Sequence, residues 1–237
     1  MILMNYYIGM SEKQEIFTLM GGRVRMRRGT YNPTSDAVWL AAFAPTKNIH
    51  SVLDVGIGSG GVSLCILANN PSATITGLDT SDQMLASAAD NAKLNNHQLE
   101  LIQADINTWR TNRTFDLVVS NPPYFRGTPA KHNAHHNANL PQWVKRCVAR
   151  TKPNGYCCII TDALTVADII SVMSTSCGDI NILPLFGAHD TAERVLIRGR
   201  VGAKTGTTLH RGLPMNFEPI LRDGLTIAQA LSKVSKK

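Results

Sequence analysis

Short apolar runs alternate with segments of helical character along most of this chain of 237 residues. Strands are predicted at 52–55, 73–79, 99–103, 116–120, 156–161, 180–186 and 194–200. Helices are predicted at 35–43, 62–68, 82–94, 140–151 and 164–173, with a helical pattern again at 227–234. This alternation predicts an α/β fold with a doubly wound, mostly parallel sheet and helices on both faces. No helix separates the last two strands, which predicts one reversed strand at the sheet edge.

The region before residue 46 does not follow this alternation and is predicted to be a hairpin and a helix. Residues 1–45 are interpreted as an N-terminal extension of the same domain that residues 46–237 form. After two glycines, arginines alternate with apolar residues in the order Arg23, Val24, Arg25, Met26, Arg27. Because side chains alternate across a strand, the three guanidinium groups are predicted to share one face. An ordinary solvated face has the same pattern.

The first strand of the main domain runs into a loop rich in glycine. Gly56, Gly58 and Gly61 satisfy the G-x-G-x-x-G pattern of dinucleotide-binding folds, and Gly60 is a fourth glycine in the loop. Glycine lets the main chain turn sharply from a strand into a helix and approach a ligand closely. The loop therefore predicts a cofactor that contains a nucleoside.

Three aspartates refine that prediction. Asp54 stands two residues before the first glycine, where NAD-binding folds have no use for a carboxylate, and it can hold a cationic amino-acid group. Asp79 ends the next strand and can accept hydrogen bonds from two ribose hydroxyls, and Asp105 follows the strand after that and can accept from an adenine amine. Each aspartate alone is more often a helix cap or a turn residue. Their order along the chain indicates a cofactor with an adenosine end and an amino-acid end.

The strand at 116–120 ends in Asn121-Pro122-Pro123-Tyr124, at the sheet edge where ligands of open α/β folds bind. The prolines fix φ, so the carbonyl groups of Asn121 and Pro122 can point outward. Together with the Asn121 amide oxygen, these carbonyls can accept both hydrogens of a planar NH2 group, and Tyr124 can stack on the attached ring. The motif predicts a substrate with an exocyclic amine or a carboxamide.

These motifs, in this order, resemble those of the class I S-adenosylmethionine-dependent amino-methyltransferases. With the basic hairpin, the helix opening at 32–38 and Phe125, most of the chain is similar to the bacterial tRNA(Val) (adenine-37-N6)-methyltransferases. The resemblance implies a seven-stranded, Rossmann-like methyltransferase fold, S-adenosyl-L-methionine as cofactor and an adenine of tRNA as substrate. It implies cofactor contacts at Thr34, Asp36, Asp54, Gly56, Gly58, Gly60, Asp79, Asp105 and Asn121. It implies catalytic roles for Asn121, Pro122, Pro123 and Tyr124, and substrate contacts at Arg23, Arg25, Arg27, Tyr124 and Phe125.

Charge and composition agree with a nucleic-acid partner. The net charge is +7, and a second basic group follows later in the chain: Arg194, Arg198, Arg200, Lys204 and Arg211. The five cysteines and the histidines at 132, 135 and 136 have no metal-site spacing, so no metal is expected. No apolar run reaches the roughly 18 residues of a membrane span, and the thiols indicate a reducing compartment. We therefore expect a cytoplasmic protein without a membrane partner.

An amino-methyltransferase that acts on rRNA or DNA stays open as an alternative, and so do two other classes of function. Glutamine N5-methyltransferases that act on peptide-release factors use the same motif on a carboxamide, but they usually carry an N-terminal helical domain. Here only some 50 residues precede the glycine loop. An NAD-binding module would explain the glycines but not residues 121–124. The sequence leaves the particular tRNA and the oligomeric state open.

Overall fold

A mixed sheet with helices on both faces forms the body of the protein. The computed structural model describes residues 15–29, 32–123 and 140–234. Its strands are β1 (Ile16–Leu19), β2 (Val24–Arg27), β3 (Ser51–Val55), β4 (Thr74–Asp79), β5 (Glu100–Gln103), β6 (Phe115–Ser120), β7 (Thr151–Asp162), β8 (Cys177–Phe186), β9 (Ala192–Val201), β10 (Thr207–Leu209) and β11 (Leu213–Pro214). Its helices are α1 (Ser35–Phe43), α2 (Gly61–Asn69), α3 (Asp82–Leu94), α4 (Leu140–Ala149), α5 (Val166–Met173), α6 (Glu218–Leu221) and α7 (Ile227–Val234). None of these helices is long and apolar enough to cross a bilayer.

The large sheet has the strand order β10-β8-β9-β7-β6-β3-β4-β5, with β11 also paired to β8. The strands are parallel except for β9, which is antiparallel to both of its neighbours. The prediction of a doubly wound, mostly parallel sheet is confirmed, and all seven predicted strands are present. The position predicted for the reversed strand is wrong, because β9 lies between β7 and β8 rather than at the edge. The short strands β10 and β11 were not predicted.

Two apolar cores cover the two faces of the sheet. One core contains side chains of α1, α2 and the C-terminal segment, and the other contains those of α4 and α5. Neighbouring residues of β3 alternate between them, with Val52 in the first core and Leu53 in the second. A strand buried on both faces needs apolar residues at successive positions, which explains the unbroken run Leu117–Val119 in β6.

The N-terminal hairpin is present as β1 and β2, which pair in antiparallel register. Val24 and Met26 are buried in the first core, as their alternation with arginines predicted. The outer edge of β2 is bonded to helix α3: the Arg25 N–H donates to Asn95 Oδ1 at 2.8 Å, and the Arg27 N–H donates to Asn91 Oδ1 at 2.8 Å. The hairpin therefore packs against the helices of one face and does not extend the sheet.

Arg23 departs from the predicted arginine face. It precedes β2 in an αR conformation, and its guanidinium donates to the carbonyl oxygens of Ala68 and Gly224. These bonds join the hairpin to the end of α2 and to the C-terminal segment. The contacts give Arg23 a structural role. Arg23 is exposed, as Arg25 is, and Arg27 is half-buried, so the predicted substrate contacts of these three arginines stay predictions.

Two arginines of the second basic group are held within the fold, while Lys204 and Arg211 are exposed. Arg198 donates to the Phe43 carbonyl at 3.1 Å and lies over the rings of Phe43 and Tyr156. Arg200 donates to the Asn154 carbonyl at 3.1 Å. Guanidinium groups held in this way contribute to packing, so the strand β9 is a weaker candidate for phosphate contacts than its sequence indicated.

The five cysteines are buried side chains without disulfides. Burial raises the pKa of Cys177 to about 11 and that of Cys65 and Cys158 to about 12. These thiols are therefore protonated near neutral pH and act as small apolar side chains.

Candidate cofactor and amine site

The strand order brings the predicted site residues to one edge of the sheet. Strands β6, β3, β4 and β5 are consecutive neighbours, and all are parallel. Their carboxyl ends therefore meet at the same edge, which is the ligand-binding edge of open α/β sheets. Asn121 follows β6, the glycine loop follows β3, Asp79 ends β4, and Asp105 follows β5.

The glycine loop needs its glycines for conformation and for space. Gly56, Gly58 and Gly60 have φ values of 76°, 54° and 88°, in the left-handed region that other residues rarely adopt. At Gly61 a Cβ atom would come within 2.6 Å of the Pro33 side chain. The segment before α1 thus lies directly against the start of α2. Thr34, which caps α1 by accepting from the Asp36 N–H, is brought near the loop, and its predicted cofactor contact stays a prediction.

Asp79 lies at the mouth of the site, between two turns. One carboxylate oxygen accepts from the Gly58 N–H at 2.9 Å, and the other accepts from the Ser81 N–H at 3.0 Å. A carboxylate has about four acceptor positions, so these two bonds fix its orientation and leave capacity for further donors. The half-buried carboxylate is suited to a pair of ribose hydroxyls.

The loop after β5 holds Asp105 through a local turn. Asp105 Oδ1 accepts from the Asn107 main-chain N–H at 2.8 Å and from the Asn107 amide at 3.0 Å. The amide oxygen of Asn107 is buried and has no hydrogen-bond partner among the described residues. Acceptors at both residues suit the exocyclic amine of an adenine.

Asp54 is buried beneath the glycine loop, where its Oδ2 accepts from the Ser63 hydroxyl at 2.6 Å. Burial raises the pKa of Asp54 to about 7, the nearby negative charge of Asp79 adds to this, and the Ser63 hydrogen bond opposes it. A cation bound nearby would favour the ionised carboxylate. The site is therefore poised for a cationic amino-acid group, and direct contact with that group stays a prediction.

The pKa of Asp54 makes the stability of the cofactor-free protein depend on pH. The folded state holds this proton up to about pH 7, whereas the unfolded chain releases it near 3.8. The resulting stability is fully present below pH 4 and is lost as pH rises towards and through 7. We expect Asp54→Asn to remove up to one proton from the pH dependence of unfolding between about pH 4 and 7, as measured by urea titrations at several pH values. An unchanged pH dependence would show that Asp54 is ionised in the folded protein.

Asn121 follows β6 and presents a buried acceptor at the same edge. Its amide oxygen has no hydrogen-bond partner among the described residues. The preceding residue is fixed, since the Ser120 hydroxyl donates to the Val55 carbonyl at 2.8 Å and so joins the end of β6 to the end of β3. Pro122 is buried and Pro123 exposed. Tyr124 and Phe125 lie outside the described residues, so their predicted roles stay predictions.

Three of the seven buried side-chain polar atoms without a partner in the described ranges belong to the loops at this edge. They are Ser59 Oγ in the glycine loop, Asn107 Oδ1 after β5 and Asn121 Oδ1 after β6. Buried polar groups are nearly always paired, so unpaired ones in loops at one sheet edge indicate a place that a polar ligand completes. With the carboxylates of Asp79 and Asp105, these atoms fit S-adenosylmethionine, which carries hydrogen-bonding groups at both ends.

Asp36 was implied as a cofactor residue, but its carboxylate is committed elsewhere. Asp36 Oδ2 lies 3.2 Å from Arg194 Nε, and Asp162 Oδ2 lies 3.7 Å from Arg194 Nη1. The Asp36 side chain is only 4% exposed. A buried carboxylate requires such a partner. The ion pairs join the start of α1 to the end of β7 and the start of β9, and the implied cofactor contact of Asp36 stays a prediction.

Two residues near the site escaped the sequence analysis. Asn91 of α3 is fully buried; its amide donates to the Ser59 carbonyl at 3.0 Å while its oxygen accepts from β2, so it joins the hairpin to the glycine loop. Asparagine has a low helix propensity, so its place inside α3 was the feature of the sequence that could have indicated a special role. Trp143 of α4 donates from Nε1 to the Ser120 hydroxyl at 3.0 Å.

The described residues contain no group of three or more His, Cys, Asp or Glu side chains placed so that they could bind a metal ion. The histidines at 132, 135 and 136 lie outside those ranges.

A model of the methyltransferase small domain family matches residues 35–181. A tRNA1(Val) (adenine(37)-N6)-methyltransferase of Glaesserella parasuis is 32% identical over 129 residues, which cover 51% of this chain and 55% of that protein. A release factor glutamine methyltransferase of Flavobacterium psychrophilum is 41% identical over 86 residues, which cover 36% of this chain and 30% of that protein. The chain thus spans about half the length, or less, of these curated relatives.

The fold also has solved counterparts. A protein of Listeria monocytogenes, assigned to the class I S-adenosylmethionine-dependent methyltransferases, superposes with a TM-score of 0.61 at 18% sequence identity. The superposition covers 85% of this chain and 70% of that protein. At this level of identity the likeness establishes the fold.

Proposed function

Since this chain belongs to the methyltransferase small domain family, we propose that it transfers a methyl group from S-adenosylmethionine to the N6 amine of an adenine in tRNA. The proposal rests on the amide oxygen of Asn121, which is buried and has no partner among the described residues. This oxygen lies at the sheet edge that also carries the glycine loop, Asp79 and Asp105. An acceptor in that position is suited to an NH2 group, and an adenine has one.

The protein holds the two ends of the cofactor with different residues. Asp79 binds the ribose hydroxyls, Asp105 and Asn107 receive the adenine, and the glycine loop above Asp54 takes the amino-acid end. S-adenosylmethionine supplies a methyl group that its sulfonium has already activated. The main task of the protein is therefore to align an amine with that methyl group, and positioning of this kind can contribute several kcal/mol.

Asn121 favours the transition state over the bound substrate. The lone pair of an adenine amine is delocalised into the ring, so the ground-state nitrogen is planar and weakly nucleophilic. By accepting the amine hydrogens, Asn121 and the Pro122 carbonyl favour a pyramidal nitrogen whose lone pair points at the methyl group. An interaction stronger in the transition state than in the ground state is the one that accelerates the reaction. The nitrogen becomes acidic after transfer, so the site needs no strong base.

The choice of tRNA rests on the relatives and on charge. One relative is named for adenine 37 of tRNA1(Val), and the net charge of +7 suits a polyanion. An adenine in folded RNA must leave its stack, at a cost of a few kcal/mol, and a loop base is the least costly to move. A cytoplasmic location follows from such a substrate.

A glutamine side chain of a protein is the second candidate. A carboxamide presents the same planar NH2 group to Asn121, and a relative with 41% identity over 86 residues is named for that activity. The two substrates differ in the surroundings of the amine: the adenine is part of a polyanion, and the glutamine is part of a protein loop.

One experiment separates the two candidates. The purified protein is incubated with S-adenosylmethionine labelled in its methyl group, together with total tRNA from cells that lack the gene or, separately, with unmodified peptide-release factor. We expect N6-methyladenosine in one tRNA fraction by nucleoside mass spectrometry, and no label on the release factor. Label on a release-factor glutamine, or on a nucleoside other than adenosine, would contradict the proposal.

Two arginines of β2 give a further prediction. Arg25 is exposed and Arg27 half-buried, and the main chain of Arg27 is joined through Asn91 to the Ser59 carbonyl of the glycine loop. We expect Arg25→Gln/Arg27→Gln to weaken tRNA binding and to lower the log–log salt slope by about two units, because each phosphate contact contributes about one. Binding titrations at several salt concentrations measure this slope.

A matched control removes two charges from the opposite edge. Lys47 precedes β3 and Lys204 follows β9, and both are exposed. Lys204 belongs to the second basic group, but it follows the antiparallel strand β9 and therefore lies, like Lys47, at the edge away from the glycine loop. Lys47→Gln/Lys204→Gln should leave the slope unchanged. Equal slopes for the two double variants would exclude the hairpin as a phosphate-binding surface.

A further inference from the structure

Trp143 of helix α4 is linked by hydrogen bonds to the ends of the two strands that precede Asn121 and the glycine loop. Its Nε1 donates to the Ser120 hydroxyl at 3.0 Å, and that hydroxyl donates to the Val55 carbonyl at 2.8 Å. Ser120 directly precedes Asn121, and Val55 directly precedes Gly56. One side chain of α4 is thus joined to the strand end before the amine acceptor and to the strand end before the glycine loop.

The indole ring also lies against the glycine loop itself. A Cβ atom placed on Gly56 would be 3.5 Å from the ring atom Cζ2 of Trp143. Gly56 has a φ of 76°, so the loop turns here without a side chain, and the ring occupies the adjoining space. The edge of the indole therefore lies about one methyl group away from the first glycine of the loop, two residues after Asp54.

Trp143 differs from the core residues of its helix. Leu140, Val144, Cys147 and Val148 are buried and form the stripe that packs on the sheet. Trp143 packs against the same core but is only partly buried. Part of this residue is therefore left uncovered, and its Nε1 is bonded at the edge where Asn121 and the glycine loop lie.

We propose that Trp143 forms a wall of the cofactor groove at the amino-acid and sulfonium end, and that it positions Asn121 through Ser120. An aromatic face attracts a cation within about 6 Å of its centre, and both the ammonium and the sulfonium of S-adenosylmethionine are cations. The hydrogen bond to Ser120 fixes the residue before the amine acceptor, so the indole aligns the two reacting partners. The methyl donor is the part of the proposed function on which this inference rests; the identity of the methyl acceptor does not enter it.

Intrinsic fluorescence tests the contact without any methyl transfer. The described residues contain three tryptophans: Trp39, which is fully buried in α1, Trp109, which follows Asp105, and Trp143. S-adenosylhomocysteine is titrated into the wild-type protein and into the variants Trp143→Phe and Trp109→Phe. We expect the change in emission to persist in Trp109→Phe and to be lost in Trp143→Phe. A change that persists in Trp143→Phe would overturn the proposal.

Two substitutions then separate the wall from the hydrogen bond. Trp143→Phe keeps an aromatic ring but removes the N–H, so it should lower kcat at saturating cofactor while S-adenosylhomocysteine affinity falls less than about threefold. Trp143→Ala should weaken S-adenosylmethionine affinity by between about threefold and thirtyfold in calorimetry, the range of a partly desolvated cation–aromatic contact. S-adenosylhomocysteine, whose sulfur is uncharged, should lose less. Unchanged S-adenosylmethionine affinity in Trp143→Ala would contradict the role of Trp143 as a wall of the cofactor groove. Unchanged kcat in Trp143→Phe would contradict its role in positioning Asn121. If the alanine variant does not fold, the phenylalanine variant and its emission decide.

Calorimetry with S-adenosylmethionine or S-adenosylhomocysteine needs no acceptor substrate, so this test does not depend on whether the acceptor is an adenine or a glutamine. Binding that depends on Trp143, together with label on a release factor, would retain the wall and reject the tRNA assignment. Label on tRNA, together with cofactor binding that does not depend on Trp143, would retain the tRNA assignment and reject the wall.

Discussion

Asn121→Ala is expected to lower the rate of methyl transfer by about 100-fold or more, while cofactor affinity stays nearly intact. The amide oxygen is buried and unpaired in the described part of the chain, and we expect it to accept a hydrogen bond from the incoming amine. Loss of one pre-organised polar group that acts chiefly in the transition state costs on the order of 100-fold to 1000-fold. Single-turnover kinetics at saturating cofactor measure the rate, and calorimetry measures cofactor affinity.

Asn107→Ala is the matched control for this variant. Asn107 is also an asparagine with a buried, unpaired amide oxygen, but it lies after β5, beside Asp105. Its loss should weaken cofactor binding and leave the rate at saturation nearly unchanged. The opposite pattern, in which Asn121→Ala loses only cofactor affinity, would place the amine pocket elsewhere.

Asp79→Ala is expected to weaken cofactor binding by about 1–3 kcal/mol, the value of charge-assisted hydrogen bonds lost from a partly buried site. The carboxylate also holds the N–H groups of Gly58 and Ser81, so part of the loss comes from a less ordered loop. Calorimetry with S-adenosylhomocysteine measures the effect.

Adenosine and methionine, titrated separately, show which part of the cofactor Asp79 serves. The loss should appear with adenosine and be small with methionine. Asp79→Asn keeps one acceptor oxygen and should fall between the wild type and the alanine variant. Unchanged affinity in Asp79→Ala would exclude the ribose assignment.

The sequence predicted the parts of the fold that local patterns determine. The bounds of α1 and α3 agree with the predicted helices because a threonine and a serine cap their starts. Strands β10 and β11, of three and two residues, escaped prediction because pairing with β8, rather than their own pattern, defines them.

The sequence predicted the site residues that lie at the ends of strands. It could not predict the contacts of residues whose partners lie far away in the chain. Asp54, Asp79, Asp105 and Asn121 follow from position along the chain, since consecutive parallel strands share an edge. The role of Asp36 depends on Arg194, which lies 158 residues away. The bonds from the exposed Arg23 guanidinium to the carbonyls of Ala68 and Gly224 likewise depend on residues far away in the chain. Spacing in the sequence contains no information on such pairs.

The place of β9 in the sheet has a consequence for how the chain folds during synthesis. Strands β7 and β8 leave the ribosome first, yet they have no mutual contact in the sheet and each pairs with β9. The half of the sheet beyond β6 therefore cannot close until residue 201 has emerged, and such non-local pairing is slow. Until then the unpaired edges of β7 and β8 stay open to wrong partners. Arg194 arrives with β9, so the ion pair that joins α1 to this half of the sheet forms only when β9 is in place.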